Sequence, residues 1–318
     1  MVHKDMALVL GGGGSAGHAW TIGVIAGLAE AGLDMTKAAD LVIGTSSGAT
    51  AAAHVRSGVP AAELLASIVA GPVRPVRQDR QAPQDRQAPQ DRQGPPSLPM
   101  AAVFERIRAI GAAATSAADL GRALGAYALE SEAGLDPEAA AQRRALVAAR
   151  LPRHEWPERP MVVVAVNAHT GELAAFDRDA GVDLVDAVTA STALPGGPTR
   201  RIKGVPYISG GVRSADNADL ASGYANVMVL TPLSERSGPL LPGQFEGIRR
   251  SAEWGNDLAS QVEALRQQGS RVVVVSPDAD SRAAMGTDQM DLATRIPSAQ
   301  AGYNQGKALV GQLGEFWR

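Results

Sequence analysis

Short runs of apolar residues alternate along this chain with longer stretches in which apolar positions recur every three or four residues. The runs are Met6-Ala7-Leu8-Val9-Leu10, Ala39-Asp40-Leu41-Val42-Ile43, Met161 to Val166, Val205 to Ile208, Asn226 to Leu230 and Arg271 to Ser276. Runs this short and this apolar predict strands buried on both faces. Glu172 to Phe176 follows the turn His169-Thr170-Gly171 and is expected to return against the Met161 strand as a hairpin. Helices are expected from His18 to about Ala31, Ala49 to Val55, Met100 to Leu129, Pro137 to Leu151, Asp183 to Ser191, Phe245 to Gln268 and Met290 to Leu313. Strands alternating with helices predict an α/β layer fold with a mainly parallel sheet.

The pattern disappears between residues 71 and 99. Gln78-Asp79-Arg80-Gln81-Ala82-Pro83 repeats from Gln84 to Pro89 and, with Gly94 in place of alanine, from Gln90 to Pro95. Nothing in the repeat is apolar and larger than alanine, so burial cannot offset the entropy of ordering it. A period of six is neither a heptad nor a solenoid repeat. The expectation is a single domain over 1–318, holding a low-complexity linker at 71–99 and a helical insert at 100–160.

Two glycine-rich turns interrupt the first strands. Gly11-Gly12-Gly13-Gly14-Ser15-Ala16-Gly17 joins the first strand to a helix whose unpaired N-terminal amides favour a negative charge, either a phosphate or the oxyanion of an acyl-transfer intermediate. Gly12, Gly14 and Gly17 also fit a dinucleotide fingerprint, but that needs an acidic residue at the end of the next strand. Here the strand ends in Ile43-Gly44, with Asp40 at its start. The oxyanion reading is therefore preferred. Gly44-Thr45-Ser46-Ser47-Gly48 fits G-x-S-x-G between a strand and an alanine-rich helix, the setting in which a sharp turn lifts a serine hydroxyl for attack. Gly44 and Gly48 would allow strand and helix to approach closely. Ser47 is expected to satisfy a backbone group at the helix start or to lend its amide to the oxyanion.

The composition narrows the chemistry. There is no cysteine, so thiolate catalysis, disulfides and cysteine metal sites are excluded, and no His/Asp/Glu group has metal-ligand spacing. No cofactor is called for. Aromatic residues make up 4% of the 318 and the net charge is −3, which argues against nucleic acid as a partner. No stretch has the length of a spanning helix and no secretory signal is evident, so the expectation is a cytoplasmic protein whose contact with lipid is peripheral. Oligomeric state is not readable.

The two glycine turns, in this order and about thirty residues apart, resemble the patatin-like phospholipases. So do Ser209-Gly210-Gly211 after a short strand, Ala190-Ser191-Thr192-Ala193-Leu194-Pro195, and Asn217-Ala218-Asp219-Leu220. The resemblance spans most of the chain outside 71–160. It implies a three-layer α/β/α fold and a lipid or acyl-ester hydrolase working through a Ser-Asp dyad without histidine. Ser46 would be the nucleophile, and the amides of Gly12, Gly13 and Gly14 the oxyanion hole. The chain departs from the family at the dyad: where the family has D-G-G it has Ser209, Gly210 and Gly211, and a serine cannot accept the proton at neutral pH. Impaired or specialised hydrolysis is expected, with a silent acyl-binding protein or an acyltransferase as alternatives. Asp216, Asp219 and His18 are candidate substitute bases, while His18, His54 and His169 each have a structural reading that is preferred. Ala16 is a smaller departure, standing where many relatives carry Arg or Lys.

Overall fold

The structure, a computed structural model, describes residues 5–70, 100–233, 248 and 250–313. The six-residue repeat and the start of the Phe245 segment lie outside those residues. The elements in order are β1 (Met6–Leu10), α1 (Gly14–Glu30), α2 (Met35–Ala38), β2 (Leu41–Thr45), α3 (Ser47–Val55), α4 (Ala61–Val69), α5 (Met100–Ala113), α6 (Ala117–Glu132), α7 (Ala139–Ala148), β3 (Met161–Asn167), β4 (Leu173–Phe176), α8 (Leu184–Ser191), β5 (Arg200–Ile202), β6 (Val205–Ser209), β7 (Asn226–Leu230), α9 (Leu258–Gln267), β8 (Arg271–Val275), α10 (Ala279–Met285) and α11 (Arg295–Leu313). The sheet runs β5-β6-β3-β2-β1-β7-β8, with β4 also paired to β3. Strands β3, β2, β1, β7 and β8 are parallel neighbours, and β4, β5 and β6 are antiparallel additions at one side.

Alternation along the strands sorts the core into layers. Leu8, Leu10, Val42, Met228 and Leu230 face α1, α3, α8 and α11, whereas Ala7, Val9, Ile43, Val227 and Val229 face α9. A third cluster, in which Val166 and Ile208 meet α5 and α6, covers the antiparallel side. Helices α1 and α11 pack backbone to backbone. A Cβ on Gly23 or Gly27 would collide with the carbonyls of Ala299 or Tyr303, and one on Gly302 or Gly306 with those of Trp20 or Val24.

Several boundaries differ from the periodicity, each for a local reason. Strand β2 begins after Asp40 because that carboxylate accepts the amide of Met6 at 3.0 Å. The helix expected from Phe245 begins only at Leu258. Gly255 turns the chain at φ 67°, and Asp257 caps the new helix by accepting the Ser260 amide. The helix expected from Met290 begins at Arg295, because Asp288 and Asp291 accept the amides of Met290 and Ala293 and hold that stretch in turns. Helix α1 starts inside the glycine run, at Gly14 rather than His18. Helices α2, α4 and α10 and strand β5 are additional to the pattern.

Candidate active site

The Ser46 elbow is built by the backbone. Between the end of β2 and the start of α3, Ser46 adopts φ 55° and ψ −122°, a conformation that costs a non-glycine residue on the order of 1–3 kcal/mol and persists only where its surroundings enforce it. Gly48 makes the turn possible, since a Cβ there would collide with the carbonyl of Leu10; a Cβ on Gly44 would press on Ala49. Ser191, at the end of α8, fixes the strained residue by accepting the Ser46 amide on its Oγ at 2.9 Å. Ser46 is left half-buried.

The glycine turn closes over this serine. A Cβ on Gly12 would lie 3.4 Å from the Ser46 Cβ, so a side chain at that position would crowd the hydroxyl. The Gly12 amide donates to the Ala215 carbonyl at 2.8 Å, and the Gly13 amide to Ser47 Oγ at 2.8 Å. Ser47 thus ties the two glycine turns together. The Gly14 amide heads α1 and has no partner among the described residues. Gln289 closes the same turn from outside, its carbonyl accepting the Ala16 amide at 3.0 Å.

Ser209 reaches the elbow through the register of β3. At Val163 and Val164 that strand pairs with β2 on one edge and β4 on the other; at Ala165 it pairs with β4 and β6. Strands β2 and β6 therefore lie end to end on one edge, with Thr45 opposite Val164 and Ser209 opposite Ala165. The Ser209 amide donates to the Ala193 carbonyl at 2.8 Å, so the segment that holds Ser46 holds Ser209 as well. Ser209 is 2% exposed, and its Oγ accepts the Gly211 amide at 3.2 Å. Gly210 packs against the Val164 carbonyl, where a Cβ would stand 2.6 Å away.

The loop after Gly211 is braced from several sides. Asn217, at φ 55°, donates from Nδ2 to Thr45 Oγ1 at 3.0 Å, Ser214 O at 2.9 Å and Gly210 O at 3.3 Å. Asp219 is engaged by Arg213 in a two-pronged ion pair of 3.0 and 2.6 Å. The Arg250 guanidinium donates to the carbonyls of Gly211, Val212, Arg213 and Ile248. Burial pulls Arg250 down to about 10, against the opposing pull of the Asp216 carboxylate. Asp216 is 1% exposed, and its Oδ1 occupies the space a Gly11 side chain would need.

Of the candidate bases, Asp219 is committed to Arg213, and the His18 ring stands edge-on to that of His54, 5.1 Å between centroids. Asp216 lies under the glycine turn. Among the described residues no group of His, Asp and Glu could hold a metal ion, and no helix is long and apolar enough to cross a membrane. Arg250 could not be anticipated from the sequence. Ser191 could be singled out only as part of a motif, because its partner is 145 residues away.

A central sheet of mostly parallel strands flanked by helices, with a glycine turn packed against a strained strand-to-helix turn, defines a mixed α/β protein. The family described as patatin-like phospholipase matches residues 8–222, and the chain belongs to that family, whose members are generally lipid hydrolases. Among solved structures it is similar to VipD from Legionella pneumophila, at 13% identity and a TM-score of 0.40 over 98% of this chain and 67% of that one. It is also similar to the type III effector ExoU, at 16% identity and a TM-score of 0.36 over 96% of this chain; it spans 54% of that protein's chain. No curated protein sequence matches it.

Proposed function

We propose that the protein is a serine acyl hydrolase of lipids or related esters, acting through an acyl-Ser46 intermediate, and that it is slow as it stands because Ser209 occupies the place of the dyad carboxylate. The observation that carries this reading is the strained Ser46 with Gly12 against its Cβ. Ser46 Oγ attacks the ester carbonyl, the oxyanion is taken by the glycine turn, and the alcohol leaves; water then releases the acid. Gly14 is the open donor, and Gly13 becomes one when Ser47 Oγ turns away. The Ser47 amide, at the head of α3, is a third candidate. Each donor matters by roughly 3–4 kcal/mol in such sites. The missing part is the proton acceptor. Ser209 accepts the Gly211 amide as a carboxylate would, yet supplies no base.

That observation also favours a second reading, a silent site that binds acyl ligands. Hydrolysis of short and long p-nitrophenyl esters by the chain itself, Ser209→Asp and Ser46→Ala separates the two. The hydrolase reading expects Ser209→Asp to raise the rate by orders of magnitude and Ser46→Ala to abolish it. Turnover by none of the three, with thermal stabilisation by fatty acids, would establish the silent reading. Contact with a lipid surface is proposed to be peripheral.

A further inference from the structure

Helices α1 and α3 begin at the glycine turn and the elbow, and their other ends border a cavity of about 800 Å³. Glu30, the last residue of α1, and Arg56, the C-cap of α3, both line it. Arg56 is about 15 Å along α3 from Ser46, and none of the side chains of the candidate active site belongs to the lining. The apolar wall continues the core: Ala26, Val55 and Ala61 are buried in the central cluster, and Val59 and Leu65 pack against it.

The polar part of the cavity centres on two guanidinium groups. Arg56 Nη2 and Arg159 Nη2 both donate to the Ala39 carbonyl, at 2.8 and 2.7 Å, and their Nη1 atoms both donate to the Thr36 carbonyl, at 3.3 and 3.0 Å. Sharing two acceptors holds the groups side by side. Arg56 also donates from Nε to the Pro160 carbonyl at 3.3 Å. It is 7% exposed, and burial together with the adjacent Arg159 charge pulls it down to about 10. The two carbonyls lie at the end of the short helix α2, and one arginine would satisfy them. A second like charge in the same place calls for another reason.

Neither guanidinium forms an ion pair among the described residues, and the carboxylates of the lining have other partners. Asp34 pairs with Lys37 at 3.0 Å and accepts the amide and hydroxyl of Thr36; Glu30 pairs with Lys307 at 2.7 Å and accepts the Tyr303 hydroxyl. The Asp40 carboxylate, just before β2, acts on Arg56 but gives its Oδ2 to the amides of Asp5 and Met6. A guanidinium has five N–H donors in a planar fork, so both arginines keep donors beyond those given to the backbone. A planar carboxylate meets such a fork with two parallel bonds. Asp40 set against the arginine pair leaves one positive charge over, which one anionic group balances and a polyanion would exceed. The cavity has the size of a small-molecule site, larger than a bare ion needs, and its apolar wall offers an organic body a surface.

We propose that this cavity binds a small organic monocarboxylate, with the carboxylate on Arg159 and Arg56 and the apolar body against Val55, Val59 and Leu65. The site does not rest on the chemistry proposed at Ser46. Ligand-observed NMR titration of the full-length protein would compare 3-phenylpropionate, the neutral 3-phenylpropanamide and inorganic phosphate. The acid is expected to bind about tenfold or more tightly than the amide. Arg159→Gln should remove that preference while Arg56 still holds both carbonyls, so the melting temperature should change little. Ala62→Trp, on the exposed side of α4 at the cavity wall, should abolish binding of the acid without touching either arginine. Ser46→Ala should bind the acid as the unaltered chain does.

No binding of the acid, or equal affinity for acid and amide, would overturn the proposal. So would an affinity for the acid that both Arg159→Gln and Ala62→Trp leave unchanged. Inorganic phosphate binding as tightly as the acid would overturn the organic assignment and leave a site for a simple oxyanion. Binding lost in Ser46→Ala would place the acid at the elbow instead of this cavity.

Discussion

Ser191 Oγ accepts the amide of Ser46 at 2.9 Å, and two residues later the Ala193 carbonyl accepts the amide of Ser209 at 2.8 Å. One short segment at the end of α8 therefore holds both residues of the proposed dyad. Ser191→Ala leaves the Ser46 amide without its acceptor at the point where the backbone is strained. The expected cost is about 1–3 kcal/mol of stability. In the Ser209→Asp background, kcat should fall further than the loss of stability explains. A Ser191→Ala protein with unchanged unfolding midpoint and unchanged kcat would show that the elbow holds itself.

Asn217 tests the brace on the other side. It combines a left-handed backbone with three donated bonds, to Thr45, Gly210 and Ser214. Asn217→Ala loses the bonds and strains the backbone; Asn217→Gly loses the bonds alone. Both should unfold at lower urea concentrations, with alanine the worse by about 1–2 kcal/mol. Equal midpoints would mean that the φ of 55° is not enforced.

The parts of this site that could be read from the sequence are those made by neighbours along the chain. The apolar runs of β1 and β7, both glycine turns and the serine between Gly44 and Gly48 depend on local geometry, so residue type alone announces them. Ser209 could be placed beside the elbow only through resemblance, because its position follows from two strands meeting end to end on β3. Arg250 belongs to the same class: its partners, Gly211 to Arg213, lie nearly forty residues away in the chain. The late start of α11 was hidden for another reason. Apolar spacing continues through Met290 and Leu292, while the side chains of Asp288 and Asp291 outcompete the helix for backbone amides.

The α1–α11 seam separates glycines needed for packing from one that is not. In α1, Gly27→Ala puts a methyl into the Tyr303 carbonyl and should cost about 1–3 kcal/mol despite the better helix propensity of alanine. Gly311, in α11, is exposed with nothing within 4 Å of a Cβ, so Gly311→Ala should stabilise by up to about 1 kcal/mol. Opposite shifts in melting temperature are the expected result. A stabilised Gly27→Ala would show that the two helices have room to separate.

The histidine pair makes stability depend on pH. Burial holds His18 well below its usual 6.5, with His54, Arg295 and Arg150 adding repulsion from like charge; burial also lowers His54, against its bond to the Thr50 carbonyl. The unfolded chain thus takes up protons near pH 6.5 that the folded chain refuses. Stability is fully present above that pH and falls as pH drops from 6.5 toward the folded values, by up to about 1.4 kcal/mol per pH unit for each proton refused. The lowered carboxylates Glu30, Asp34, Asp119 and Asp257 lose their contribution as pH falls through the ordinary carboxylate range, about pH 4, and below it, so the interval between about pH 5.5 and 6.5 reports on the histidines. Urea midpoints should therefore be flat above pH 7 and decline through that interval, and His18→Gln should remove part of the slope. A His18→Gln, His54→Gln double variant that keeps the full slope would place the refused protons elsewhere in the fold.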